Sequence, residues 1–104
     1  MTIEFVKNAE GKLVEFHTKG HAEYDDPGFD IVCSAISALT INFVNSVDEL
    51  TEDGFTYTEA EDGNSVDFVL KEDFSDNTRL LFDSYHLGIM QLEKTYGDYL
   101  QVIS

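Results

Sequence analysis

Apolar side chains recur at Val32, Ile36, Leu39, Phe43, Val47 and Leu50. This three- and four-residue spacing lines one side of an α-helix and predicts a helix over residues 31–50, ended by Glu52-Asp53-Gly54. A helix with one apolar side must bury it against a second layer, and the flanking segments supply one. Residues 3–7 and 12–19 read as strands joined at Asn8-Ala9-Glu10-Gly11, and residues 55–60 and 65–71 as strands around Glu61-Asp62-Gly63-Asn64, in which Asp-Gly is a strong hairpin signal. A second helix is predicted from Ser75-Asp76 to Gly97, with Leu81, Tyr85, Leu92 and Tyr96 at helical spacing, and residues 99–103 close the chain as a strand. The order is β-β-α-β-β-α-β. It predicts an α+β fold in two layers, a mainly antiparallel sheet with two helices on one face, and a single domain over residues 1–104.

Within the strands, Val14, Phe16 and Thr18 alternate with Leu13, Glu15, His17 and Lys19, so one face is expected to be covered and the other wet, with His17 on the wet side. Val66, Phe68 and Leu70 are expected to face the core. Ala35, Ala38 and Gly88 are small enough to let the helices approach closely, and His86 falls off the apolar stripe.

The stretch from Gly20 to Leu39 holds the only cysteine, the only proline and His21. His21 is placed at a strand end, and a turn-rich acidic loop with Glu23, Asp25 and Asp26 runs on to Phe29. Asp30 is a good helix N-cap, which would put Cys33 in the first helical turn. There, unpaired backbone N–H groups and the helix dipole favour an anion, and a neighbouring imidazole lowers a thiol pKa further. Ser37 sits one turn above Cys33, where it either contacts the reacting groups or bonds its own i−4 carbonyl. Spacing alone leaves two readings open: a Cys33–His21 nucleophile and base, or a small packed cysteine beside a strand-end histidine.

The segment Gly20-His21-Ala22, a short loop ending at Gly28, and then Asp30-Ile31-Val32-Cys33-Ser34-Ala35-Ile36-Ser37-Ala38-Leu39 resembles the ribosomal-processing cysteine protease family Prp, and the order of elements over the whole chain agrees. The resemblance implies a cysteine endopeptidase that removes the N-terminal extension of a large-subunit ribosomal protein during ribosome assembly. Cys33 would be the nucleophile, His21 the general base, and the active species a homodimer. Asp30 and Ser37 are the candidates for supporting roles, with Asp30 orienting His21 or capping the helix. Ala22 to Phe29 would form a lid whose Glu23, Asp25 and Asp26 meet a basic substrate. The competing functions are a non-enzymatic acidic interaction module or assembly factor with a structural Cys33, and a thiol redox sensor.

Charge bears on partners. With 21 acidic and 6 basic residues the formal net charge is −15, which disfavours a phosphate backbone and therefore nucleic acid, and complements a basic polypeptide such as a ribosomal protein. No CxxC or HxxxH spacing is present, so no metal and no cofactor is expected. No apolar run is expected to span a bilayer. The opening Met1-Thr2-Ile3-Glu4 has no basic region followed by an apolar run, and with a lone cysteine this predicts a cytoplasmic protein.

Overall fold

The computed structural model describes the backbone of residues 1–20 and 27–104 and the side chains of residues 1–20 and 31–104. Its elements are β1 (Thr2–Lys7), β2 (Leu13–Lys19), α1 (Pro27–Leu50), β3 (Phe55–Glu59), β4 (Ser65–Leu70), α2 (Asp76–Tyr96) and β5 (Gln101–Ile103). The five strands form one sheet in the order β3-β4-β2-β1-β5, antiparallel throughout except for the parallel pair β1 and β5. The fold is α+β, with the predicted order of elements.

Register puts one row of side chains across four strands: Phe5 opposite Phe16, Phe16 opposite Phe68, Phe68 opposite Tyr57. Both helices pack on the face that carries this row. Phe43 of α1 meets Phe16 and Phe68 with ring centroids 6.1 and 5.0 Å apart, and Phe82 of α2 meets Phe5, Phe16 and Phe68 at 6.3, 6.2 and 5.8 Å. Around these rings Ile3, Val32, Ile36, Val47, Leu70, Ile89 and Leu100 complete the core. The helices approach closely where Gly88 faces Leu39; a Cβ there would lie 3.2 Å from a Leu39 methyl. On β4, Phe68 and Leu70 are buried and Val66 packs against the core, as its alternation predicts.

Several positions depart from simple periodicity. Val6 pairs with Glu15 but Lys7 with Leu13, so Val14 is an extra residue in a β-bulge. The bulge shifts the phase by one, and Leu13, expected on the wet face with Glu15 and His17, is buried at 3 % exposure. In α2 the buried line is Thr78, Phe82, Tyr85 and Ile89, with Leu81, Leu92 and Tyr96 at its margins, so the stripe is rotated from the one predicted. β5 begins at Gln101 rather than 99, because the amides of Tyr99 and Leu100 donate to the Tyr96 carbonyl at 2.9 and 3.2 Å and close the end of α2 instead.

The first helix also starts earlier than expected. Pro27, Gly28 and Phe29, read as the end of a loop, belong to α1, and Pro27 opens it where a missing N–H costs nothing and a fixed φ suits the helix. Asp30 therefore lies inside the helix rather than at its cap. Cys33 is the seventh residue of α1 and sits in the second turn, not the first. Contrary to the expectation from sequence, residues Ile31–Leu50 are long and apolar enough to cross a membrane, with a mean hydropathy of 1.4. In the fold Val32, Ile36, Phe43 and Val47 are buried in the core, while Ile31, Ile41, Asn42 and Asn45 are exposed. So is Leu50, which the helical spacing places on the apolar stripe but which lies at the end of α1 beyond the sheet-covered side.

Asp53 ties the two helices together. Its carboxylate accepts from the Ser75 backbone N–H at 3.0 Å, from the Ser75 hydroxyl at 2.6 Å and from the Thr78 hydroxyl, and Ser75 in turn caps α2 by accepting from Thr78 N–H at 3.3 Å. Hydrogen bonds from Ser75 and Thr78 hold the Asp53 carboxyl below its ordinary value. A depressed folded pKa contributes stability above the unfolded pKa, and that contribution disappears as pH falls through the folded value. Asp53→Asn is accordingly expected to be less stable than the parent near neutral pH. The difference should shrink on acidification, as followed by urea unfolding at stepped pH; a constant gap down to strong acid would contradict this role.

On the solvent face, His17 stands between two carboxylates. Its Nδ1 lies 2.6 Å from Asp67 Oδ1, directly across the β2–β4 ladder, and its Nε2 lies 2.9 Å from Glu15 Oε1. Partial burial works against the charged ring, but the hydrogen bonds to Asp67 and Glu15 outweigh it and raise the pKa above an ordinary histidine's. A raised folded pKa means stability that is fully present below the unfolded value and lost as pH rises through the folded one. From pH 6 to pH 9 the parent should lose up to about 1 kcal/mol more than His17→Gln does, within the range of cross-strand ion pairs. Parallel pH profiles for the two proteins would remove His17 as the cause.

Candidate active site

One side of α1 faces the β3–β4 hairpin across a cleft of about 400 Å³. Cys33, Ile36, Ser37, Thr40 and Ile41 line it from the helix, at the three- and four-residue steps that keep side chains on one side of a helix. Tyr57 and Glu59 of β3, Val66 of β4 and Gly63 of the hairpin turn form the opposite wall, while Met1, Thr18 and Gly20 close one end. Cys33 is half-buried in this cleft, and Ser37, exposed, sits one turn further along the same helix. Cys33, Ser37 and Thr40, three or four residues apart on one side of α1, thus line one wall together.

Each wall is held by bonds away from the cleft. The Thr40 hydroxyl lies 2.7 Å from the Tyr85 hydroxyl, which reaches it from α2, and burial drives the Tyr85 pKa far above the ordinary phenol despite that bond. Tyr85 is therefore neutral at any pH the protein meets, and it fixes Thr40 as a neutral hydrogen-bonding group. Tyr57 has its pKa raised by partial burial and then by the nearby Glu59 carboxylate. Glu59 places negative charge on the β3 wall.

Gly20 brings β2 to the cleft. Its φ is 89°, a conformation that strains any residue with a Cβ, and its N–H donates to the Asn64 carbonyl at 2.9 Å, tying the end of β2 to the β3–β4 turn. The next residue in sequence is His21. His21, Glu23, Asp25 and Asp26 lie outside the described residues, and of Asp30 the structure describes the backbone, within α1. Because the dipole effect fades beyond the first helical turn, Cys33 in the second turn lacks the full helix-start stabilisation of a thiolate expected from sequence.

Nothing local in the sequence announced Tyr57, Glu59 or Ile41 as cleft residues. Tyr57 and Glu59 reach it because β3 pairs with β4 in a register that turns odd-numbered side chains toward the helices. Elsewhere, a broader depression of about 730 Å³ walled by Asn8, Lys12, Val14, Lys71 and Phe74 contains neither cysteine nor histidine. Among the described residues no group of three or more His, Cys, Asp or Glu side chains is placed to hold a metal ion.

The family model for the cysteine protease Prp matches residues 1–101 of this chain. The chain belongs to the Prp family. Curated relatives agree over nearly the full length. The ribosomal processing cysteine protease Prp of Staphylococcus aureus (strain Mu50 / ATCC 700699) is 24% identical over 102 residues, 98% of this chain and 96% of that protein. Its namesake from Bacillus subtilis (strain 168) is 28% identical over 94 residues, 86% of this chain and 84% of that one. Among solved structures, S. aureus Prp in complex with a covalently linked product peptide superposes with a TM-score of 0.89 at 24% identity, covering 98% of this chain and 96% of its own. SMU.848 from Streptococcus mutans does so at 0.88 and 28% identity, covering 98% and 90%. Membership of Prp makes the chain a cysteine protease and sets aside the non-enzymatic module in which Cys33 only packs.

Proposed function

We propose that Cys33 is the nucleophile and His21 the general base of an endopeptidase that removes the N-terminal extension of a basic large-subunit ribosomal protein during ribosome assembly in the cytoplasm. The observation that carries this reading is that a chain of a cysteine-protease family has one cysteine, and that cysteine lies in a cleft bordered by Gly20, the residue before His21. In the reaction, His21 takes the Cys33 proton, the thiolate attacks the scissile carbonyl carbon, and the protonated imidazole returns the proton to the departing amine. Water, deprotonated by His21, then hydrolyses the thioester and regenerates the thiol.

Two residues support the pair. Ser37, one turn from Cys33 on the cleft wall, is placed to hydrogen-bond the substrate. Asp30, whose backbone lies within α1, is proposed to orient His21. Glu23, Asp25 and Asp26, between His21 and α1 in sequence, would meet the basic substrate as a lid; changing all three to Asn or Gln should lower the apparent thiol pKa in an alkylation profile and weaken activity on basic substrate. The alkylation profile of the parent, compared with this variant, decides the matter, since an unchanged pKa with unchanged activity makes the segment a spacer.

We also propose a homodimer, and residues 1–104 as one protease domain. Of the apolar helix side chains Ile41, Phe43, Val44, Phe82, Ile89 and Met90, whose spread beyond one stripe suggests an interface, Phe43, Phe82 and Ile89 are buried in the core, Val44 packs against it, and Ile41 and Met90 are exposed at 56% and 38%. Leu80 and Leu87 are exposed with them. Sedimentation at micromolar concentration should give twice 11.7 kDa; a mass of one chain would argue against the dimer. For the activity itself, the decisive experiment incubates the protein with the N-terminally extended ribosomal protein and reads the products by mass spectrometry, with Cys33→Ala in parallel.

A further inference from the structure

We infer that the substrate binds by adding an extended strand to the outer edge of β3, exchanging backbone hydrogen bonds with Tyr57 and Glu59 while the Glu59 carboxylate selects a Lys or Arg side chain of the peptide. This deepens the protease reading above and rests on it.

Among the described residues, the sheet order gives β3 a strand neighbour on one side only, β4. Which of its backbone groups face outward follows from the ladder. The Lys71 N–H donates to the Gly54 carbonyl and the Ala60 N–H to the Ser65 carbonyl, each at 3.0 Å, and both pairs continue the β3–β4 register. In an antiparallel ladder hydrogen-bonded residues alternate, so Gly54, Thr56, Thr58 and Ala60 turn their N–H and C=O toward β4, and Phe55, Tyr57 and Glu59 turn theirs toward the open edge. Tyr57 and Glu59 are opposite Phe68 and Val66, so their side chains lie on the helix side of the sheet, and both line the cleft that contains Cys33. Of the three residues that offer outward backbone groups, Tyr57 and Glu59 are thus also lining residues of the reaction cleft.

Proteins guard exposed edges with Lys, Pro, bulges or very short strands. The other edge of this sheet, β5, is three residues long, whereas β3 runs Phe-Thr-Tyr-Thr-Glu with no Lys, no Pro and no register shift. An unguarded edge beside a cysteine-protease cleft fits strand addition, in which main-chain bonds supply affinity and alternate side-chain pockets supply selectivity. Glu59 is the one charged side chain on the strand, and a cationic peptide residue beside it answers both its charge and the chain's net charge of −15.

The test uses a quenched fluorogenic peptide of about twelve residues spanning the junction found by mass spectrometry, together with a series carrying a single backbone N-methyl group at each position in turn. Strand addition requires a period of two. Methylation at alternate residues on the β3 side should raise KM about five- to ten-fold, as expected for losing one hydrogen bond, while the intervening positions stay near the parent value. Glu59→Lys should raise KM for a Lys-bearing peptide and lower it for the same peptide with that Lys replaced by Glu. A flat scan, losses without a two-residue period, or charge reversal without effect overturns strand addition while Cys33-dependent cleavage still stands. Cleavage that survives Cys33→Ala removes the protease reading and this inference with it.

Discussion

Replacing Cys33 with alanine is expected to reduce turnover of the extended ribosomal protein by at least about 10³-fold, and His21→Ala by a comparable factor, since members of a catalytic unit fail together. Cys33→Ser should be nearly as inactive, because a hydroxyl beside the same imidazole is far less ionised than a thiol. The double substitution Cys33→Ala with His21→Ala should be little worse than either single change. Cys33 is half-buried and small, so the variants should unfold within about 1 kcal/mol of the parent, which separates a chemical loss from a folding one. The second-turn position of Cys33 sharpens this expectation. With Cys33 in the second turn, the midpoint of its alkylation-rate profile against pH should move upward in His21→Ala relative to the parent, because the imidazole is then the principal support of the thiolate. Full cleavage by Cys33→Ala would sink the assignment; an unshifted thiol pKa in His21→Ala would show that something other than the imidazole activates it.

Phe16→Ala is expected to be the most damaging single change to the fold, at about 3–5 kcal/mol. Phe16 is fully buried, lies parallel to Phe68 with rings 5.2 Å apart and 8° between planes, and also meets Phe43, Phe82 and Tyr85. It therefore joins β2 to β4 and to both helices, and a cavity there cannot be filled by the collapse of one element. A domain of this size has roughly 5–15 kcal/mol of stability in all, so the loss should lower Tm by about 15 °C or more. Phe16→Leu, which keeps most of the volume, should cost less than half as much. Calorimetry and urea unfolding of the three proteins check this, and a Phe16→Ala loss under about 1 kcal/mol would mean that the ring cluster relaxes around the gap. Because β2 leads from Phe16 to Gly20 at the cleft, activity should fall with temperature in step with unfolding of this variant.

The departures from the sequence-based expectations have two physical origins, long-range packing and local ambiguity. Asp-Gly turns and the spacing of Val32, Ile36, Phe43 and Val47 are short-range signals, readable because a turn type or a helical face depends on residues a few positions apart. The bulge at Val14 is not of that kind: it exists because Leu13 must enter the core while Glu15 and His17 stay with Asp67 on the solvent face, and Asp67 is fifty residues away. The early start of α1 was obscured by Pro27-Gly28, which reads as a turn but also suits the opening of a helix. Asp30 consequently looked like a cap.

By itself the amino-acid sequence determined the order β-β-α-β-β-α-β and the core faces of α1 and β4 at Val32, Ile36, Phe43, Val47, Phe68 and Leu70. These follow from residue type and local period alone. Only the tertiary structure decided that Cys33 lies in the second turn of α1, that Phe43, Phe82 and Ile89 are spent on the core, and that Tyr57 and Glu59 stand across the cleft with their backbone turned outward. Each of those depends on which strand pairs with which and in what register. That choice is made by burying the Phe5, Phe16 and Phe68 row beneath two helices, an energy shared by the whole core and carried by no single segment.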